Sequence, residues 1–135
     1  MDKIQLFNFN SVNDFRGVLT SLELGIDLVF EIKRIFYLHH ILGERGGHAH
    51  IDTDQVLICM SGSLDIELVY NEQVFHFHID NPELGITIPR LTFVTMRNFS
   101  SDACVLVLAN THYDYSKSLR NFEDFNNYLK QKNVH

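Results

Sequence analysis

The stretch Gly43-Glu44-Arg45-Gly46-Gly47-His48-Ala49-His50-Ile51-Asp52-Thr53-Asp54-Gln55 changes character in its middle. Its first five positions hold three glycines and read as a loop, because glycine reaches backbone angles closed to other residues. The next three read as the start of a strand. Side chains at i and i+2 on a strand leave from the same face, so His48 and His50 point together while Ala49 faces the opposite way. The apolar run Val56-Leu57-Ile58-Cys59-Met60 follows and stops at Ser61-Gly62, a strand closed by a tight turn. A pair of imidazoles on one face of a strand either binds a metal, handles protons, or lies exposed as a polar pair.

Working outward from that stretch, the same alternation recurs. Residues 4–9, 18–23 and 32–38 precede it, with Asn13-Asp14-Phe15-Arg16-Gly17 as a turn, and 54–61, 63–70, 73–79, 84–88, 92–98 and 103–110 follow. Ser61-Gly62 and Tyr70-Asn71-Glu72 suit hairpin turns. Many short strands with turns between them predict an all-β sandwich or barrel. From Ser116 the period changes: Leu119, Phe122, Phe125, Tyr128 and Leu129 recur at helical spacing, with Ser116 or Ser118 as the expected N-cap. A C-terminal amphipathic helix over one end of the β-structure is the expectation.

The chain's 135 residues are expected to form one domain, 1–135, around one core. Hydrophobic residues at 45% and charged residues at 21% suit an ordinary globular protein. A formal net charge of −6 argues against a general nucleic-acid binder, which needs clustered Lys and Arg. No apolar run is long enough to span a bilayer, and the N-terminus lacks a signal-peptide layout, so a cytoplasmic protein is expected, with no membrane partner. Cys59 and Cys104 lie in strand-like apolar runs without metal-ligand spacing and are expected to be free thiols.

The loop, His-x-His, four residues, Gln55, six residues and Gly62 resemble the first motif of the cupin superfamily. Metal-binding cupins place Glu where this chain has Gln55. Gly85-Ile86-Thr87-Ile88-Pro89 matches the start of the second cupin motif, and Phe93 stands where its histidine is expected. A divalent metal wants three or four N, S or O ligands at fixed geometry. An amide replaces a carboxylate poorly and a phenyl ring not at all, so no metal is expected. Two unligated imidazoles with pKa values near ~6.5 are left to exchange protons beside a carbonyl.

Asp14-x-Arg16-Gly17, Phe30-Glu31-Ile32-Lys33-Arg34, Arg45-Gly46-Gly47-His48-Ala49-His50, Gln55-Val56-Leu57-Ile58 and Asn121-x-x-x-Phe125 resemble, in order, the sugar 3,4-ketoisomerases. The resemblance runs from about residue 3 to residue 129. It implies an all-β cupin (jelly-roll) fold with a short C-terminal helix, a homodimer, and no cofactor. It implies a dTDP-linked keto-sugar as partner: dTDP-4-keto-6-deoxyglucose, whose keto group moves from C4 to C3 on the way to 3-amino-3,6-dideoxy sugars of surface polysaccharides. The family often has Trp where this chain has Phe93.

That chemistry assigns His48 and His50 to proton transfer, with His48 the preferred base, and Tyr37 to the developing oxyanion. Arg45, Arg34 and Arg97 are candidates for the diphosphate, since a guanidinium fork matches its oxygens. Arg16 is expected at the nucleotide end, across a dimer interface. Gln55 is expected to orient an imidazole or bind a sugar hydroxyl, and Phe93 to wall the sugar pocket. Arg90 reads as a surface charge. Phe75-His76-Phe77-His78-Ile79 is the rival pair; its phenyl rings take the core face, leaving His76 and His78 solvated. The competing functions are a dTDP-sugar 3,5-epimerase, a non-catalytic sugar-binding cupin and a metal-dependent enzyme.

Overall fold

Near-continuous apolar sequence makes a strand that must be covered on both sides, and residues 55–59 are buried throughout. The computed structural model describes residues 1–28 and 30–133; His135 lies outside the described residues. The strands are β1 (Leu6–Asn8), β2 (Asn10–Asp14), β3 (Gly17–Ser21), β4 (Arg34–Leu38), β5 (Arg45–His50), β6 (Gln55–Ser61), β7 (Leu64–Tyr70), β8 (Gln73–Ile79), β9 (Leu84–Ile88), β10 (Phe93–Arg97), β11 (Cys104–Ala109) and β12 (Ser118–Leu119). One helix, α1 (Phe122–Asn133), follows.

Two five-stranded antiparallel sheets form, in the orders β1-β9-β6-β11-β4 and β12-β5-β10-β7-β8, and β2 and β3 pair as a separate hairpin. From β4 to β12 the chain crosses between the sheets at nearly every connection, the path of a jelly roll. The fold is the expected all-β cupin type with a C-terminal helix. The sheets do not join edge to edge, so the barrel is an open two-sheet structure.

The main core lies between the sheets, where Leu57, Cys59, Leu64, Ile66, Leu68, Ile86, Val94, Val105 and Val107 meet. Fully burying side chains of this size stabilises by about 1.5–3 kcal/mol each. β7 shows how the pattern is made: Leu64, Ile66 and Leu68 face in, while Asp65 and Glu67 face out. Cys59 and Cys104 are free. Among the described residues no helix is long and apolar enough to cross a membrane.

The C-terminal segment differs from expectation. Residues 118–119 are a short strand, not the start of the helix. The cap is Asn121: its Oδ1 accepts from the Asp124 backbone N–H at 2.8 Å, and its carbonyl accepts from Phe125 N–H at 3.1 Å. β12 pairs with β5 in the register Ser118↔His50 and Leu119↔Ala49. A free ladder edge beside the histidines won over a helical spacing that Leu119 happened to share. The early hairpin was also incompletely legible, since β2 is polar and was read only as a turn.

Candidate active site

His48 and His50 sit on β5, with ring centroids 5.1 Å apart and planes at 80°. Both are partly buried and line a small cavity with Phe36, Leu38, Arg45, Gln55, Val94 and Met96. Ala49, between them, points the other way and is fully buried with Phe93 and Phe125. The helix therefore covers the back of β5 and leaves its histidine face to the interior.

Two glycines make that geometry. β5 carries a bulge against β10, where His48 pairs with Val94 and Gly46 pairs with Thr95, leaving Gly47 as the extra residue. Gly46 and Gly47 have φ of 89° and 74°, in the region that favours glycine. A Cβ on Gly46 would stand 2.6 Å from the Val94 carbonyl oxygen. The glycines that sequence reading placed in a loop thus lie inside the strand and aim its histidines.

Gln55 begins β6 and is buried at 6% exposure in the cavity wall. Its neighbour Asp54 anchors the turn. The Asp54 carboxylate accepts from the Arg90 backbone N–H at 2.8 Å, from the Arg90 guanidinium at 3.2 Å and from Asn110 Nδ2 at 3.2 Å. Arg90 is thus a structural partner of a buried acid and not the free surface charge the sequence suggested.

Three arginines surround the pair. Arg45 lines the cavity itself. The Arg34 guanidinium lies 4.4 Å from the centroid of the cavity-lining Phe36 ring and 4.9 Å from that of Tyr113. Arg120 donates to the Tyr113 hydroxyl at 3.2 Å and lies 4.3 Å from the Tyr115 centroid. Among the described residues none of the three pairs with a carboxylate, whereas Arg16, Arg90 and Arg97 do. Arg120 gives no signal of its own in the sequence, where it falls within the expected helix; Tyr113 links it to the distant Arg34, accepting a hydrogen bond from Arg120 and lying under the Arg34 guanidinium.

Burial and these cations act on the imidazoles in one direction. Burial lowers the His48 pKa, a hydrogen bond to the Gly46 backbone opposes it, and Arg120 and Arg45 lower it further. Burial lowers His50 to about 4, with His48, Arg34 and Arg120 adding to the effect and Asp52 opposing it. Both rings are therefore neutral near pH 7, the state in which an imidazole accepts a proton.

Other expected site residues lie elsewhere. Tyr37 is 61% exposed, because β4 alternates and turns Phe36 and Leu38 inward while Tyr37 faces out. Phe93, 8% exposed, packs on Phe122 and Phe125 beneath the helix. The next residue, Val94, is the one that enters the cavity, so the position facing the histidines carries an alkyl group. Arg97 points outward and pairs with Glu44 at 3.1 Å. Arg16 stands at the hairpin turn, paired with Asp14 at 2.7 Å. Within one chain, then, Tyr37, Phe93, Arg97 and Arg16 are not brought to the histidines.

The enclosed cavity measures about 70 Å³, smaller than the sequence reading expected. That is room for about two waters. Leu38, Val94 and Met96 line the cavity beside the imidazoles. Among the described residues no group of three or more His, Cys, Asp or Glu side chains is placed to hold a metal ion.

A family model described as "FdtA: WxcM-like, C-terminal" matches residues 2–130. The TDP-4-oxo-6-deoxy-alpha-D-glucose-3,4-oxoisomerase of Aneurinibacillus thermoaerophilus is 33% identical over 132 residues, covering 96% of this chain and 95% of that one. A solved 3,4-ketoisomerase from Helicobacter canadensis is 35% identical with a TM-score of 0.90, covering 96% of this chain and 99% of the other. The sugar 3,4-ketoisomerase from Thermoanaerobacterium thermosaccharolyticum, solved in complex with TDP, is 32% identical with a TM-score of 0.90 and 97% coverage of both chains. A histidine-to-asparagine mutant of that enzyme was solved in complex with TDP-4-keto-6-deoxyglucose.

Proposed function

The chain belongs to the FdtA family (WxcM-like, C-terminal), and we propose that it is a TDP-sugar 3,4-ketoisomerase acting on TDP-4-keto-6-deoxyglucose. The observation that carries the reading is a pair of neutral, adjacent imidazoles at a cavity lined by Arg45, with Arg34 and Arg120 near enough to act on their protonation and none of the three paired with a carboxylate among the described residues. Relatives sharing about a third of the sequence catalyse ketoisomerisation, which favours it over 3,5-epimerisation or simple sugar binding.

The reaction is a carbonyl shift through an enediol. His48 removes the C3 proton, made acidic by the neighbouring C4 ketone, and electron density moves onto the C4 oxygen. The C4 oxygen takes up a proton to become a hydroxyl, the C3 hydroxyl gives up its proton to the imidazoles as the new C3 ketone forms, and a proton is delivered to the C4 carbon. Overall, one C–H bond breaks at C3 and one forms at C4. His50, neutral at working pH, supplies an N–H to the developing oxyanion and takes part in returning the proton. Gln55 meets a sugar hydroxyl. Arg34, Arg45 and Arg120 hold the diphosphate, where guanidinium forks match its oxygens. These cations stabilise the enediolate and keep the base unprotonated.

We place the reaction in the cytoplasm, consistent with two free thiols, and within a homodimer. Support for the dimer is uncovered apolar surface: Val12, Val18, Leu19 and the fully bared Phe15 (98% exposed) on the β2–β3 hairpin, with Ile35 and Tyr37 on the outer face of β4. β4 is also a sheet edge with unpaired backbone groups. A second copy covering these faces carries Arg16 toward the nucleotide held by the other. Sedimentation that gives a monomer at working concentration overturns the dimer.

NMR of the product, made in deuterated water, tests the reaction. The expected result is a ketone at C3 with solvent deuterium at C4. A ketone retained at C4 with inverted C3 or C5 would make the protein an epimerase, and no exchange at all would make it a binder.

A further inference from the structure

A buried polar atom without a partner calls for an explanation. Among the described residues one such side-chain atom stands out: the Ser118 Oγ, buried and unpaired. Ser118 closes the short 3₁₀ turn Tyr115–Lys117 through its backbone N–H, which donates to the Tyr115 carbonyl, so capping makes no use of the hydroxyl.

Its position is set by register. Ser118 lies directly opposite His50. The Ile51 N–H donates to the Lys117 carbonyl at 2.9 Å, so the ladder bond flanks the Ser118–His50 pair and does not join it. In antiparallel sheets such a pair has the closer side chains, with Cα atoms about 4.5 Å apart. Leu119 and Ala49, the next pair, pack together beneath the helix. Alternation then puts Ser118 and His50 on the same side, toward the cavity.

Burial and nearby charges act on His50, with no hydrogen bond among the influences on its ring. An unanchored ring and an unpartnered hydroxyl thus face each other across one ladder position. A serine hydroxyl both donates and accepts, so it can pair with either nitrogen of a neutral imidazole.

We propose that rotation of the Ser118 side chain about χ1 brings its hydroxyl, unpaired in the conformation described, into a hydrogen bond with the His50 ring, fixing the ring's tautomer and turning its other nitrogen to the substrate. Ser118 is then a positioning residue. This rests on the ketoisomerase reading for its catalytic consequence, but the contact itself does not.

Histidine side-chain ¹⁵N NMR of the ligand-free protein tests the contact. The wild type should hold His50 largely in one tautomer, Ser118→Ala should give a mixture with His48 unchanged, and Ser118→Thr should restore the wild-type pattern. In the isomerase assay, Ser118→Ala should lower kcat by about tenfold, the worth of one hydrogen bond, with KM nearly constant. An unchanged His50 tautomer ratio, or an unchanged kcat, in Ser118→Ala overturns the inference. The NMR arm needs no substrate, so a wild-type protein that turns over no keto-sugar sinks the isomerase reading instead.

Discussion

His48-Ala49-His50 and His76-Phe77-His78 are the same pattern on strands of one sheet, and their fates are opposite. The first pair faces a cavity among arginines, and its protonation is suppressed. The second faces solvent among carboxylates, with His78 2.7 Å from Asp65 and His76 3.8 Å from Glu67, and the pKa of His78 is raised. The intervening residues decide which way each strand turns. Phe75 and Phe77 are large and apolar and take the interior, forcing the β8 histidines out. Ala49 is small, and the helix with Phe125 seals its face, so the β5 histidines turn inward. A surface depression of about 340 Å³ beside His76 and His78 is larger than the cavity at His48, yet it is open and its charges are already paired. Enclosure and unpaired cations, more than size, mark the reactive pair.

The largest expected difference between the pairs is in turnover. His48→Asn should fold and bind TDP while kcat falls by roughly 10²-fold or more, the range for removing a general base. His76→Asn and His78→Asn should leave kcat within about twofold, since no reacting atom is near them. If the two pairs lost activity equally, the contrast drawn from burial would be void.

The next difference is in stability against pH. His50 titrates near 4 in the folded chain and near 6.5 when unfolded. Between those values the unfolded chain takes up a proton that the folded one refuses, so stability is lost as pH falls. From pH 6.5 to 5 the loss is up to about 2 kcal/mol. Urea melts at those two pH values should show a smaller loss in His50→Gln. Equal losses in both proteins would mean that His50 titrates normally.

A smaller effect separates the arginines. Arg120→Gln removes a charge-assisted contact and should raise KM for the TDP-sugar by about tenfold. Arg97→Gln, whose partner is Glu44, should change it little. Equal KM values for the two variants would remove Arg120 from the binding surface.

Much of this was legible in the sequence, and the misses have causes. Strict alternation in β7 and β8 fixed their inward faces, and the glycines before His48 signalled a special backbone. Within one chain, Tyr37 (expected from its strand) and Phe93 (expected from the second cupin motif) both lie away from the imidazoles. Tyr37 shares a strand with two cavity residues but has the opposite parity, and Phe93 is one residue from Val94, the true wall. Ser118 reads as a helix cap, and Arg120 just beyond it as helix, because two residues of strand carry no periodic signal. Their placement depends on the open edge of β5, which only the assembled sheet reveals.

The smallest effect probes the outer pair and runs with the opposite sign. A hydrogen bond to Asp65 raises the pKa of His78, and Asn98 and His78 together lower that of Asp65. The proton on His78 is therefore held more tightly in the folded chain than in the unfolded one. Its stabilising contribution is fully present below the unfolded value near 6.5 and is lost as pH rises through the folded value. Both groups are exposed, so solvent and salt screen the pair and keep the effect slight. NMR titration of the His78 ring should show a midpoint above 6.5 that moves down in Asp65→Asn and with added salt, while catalysis stays as it was. A His78 midpoint below 6.5 would erase the electrostatic opposition between the two faces of the sheet.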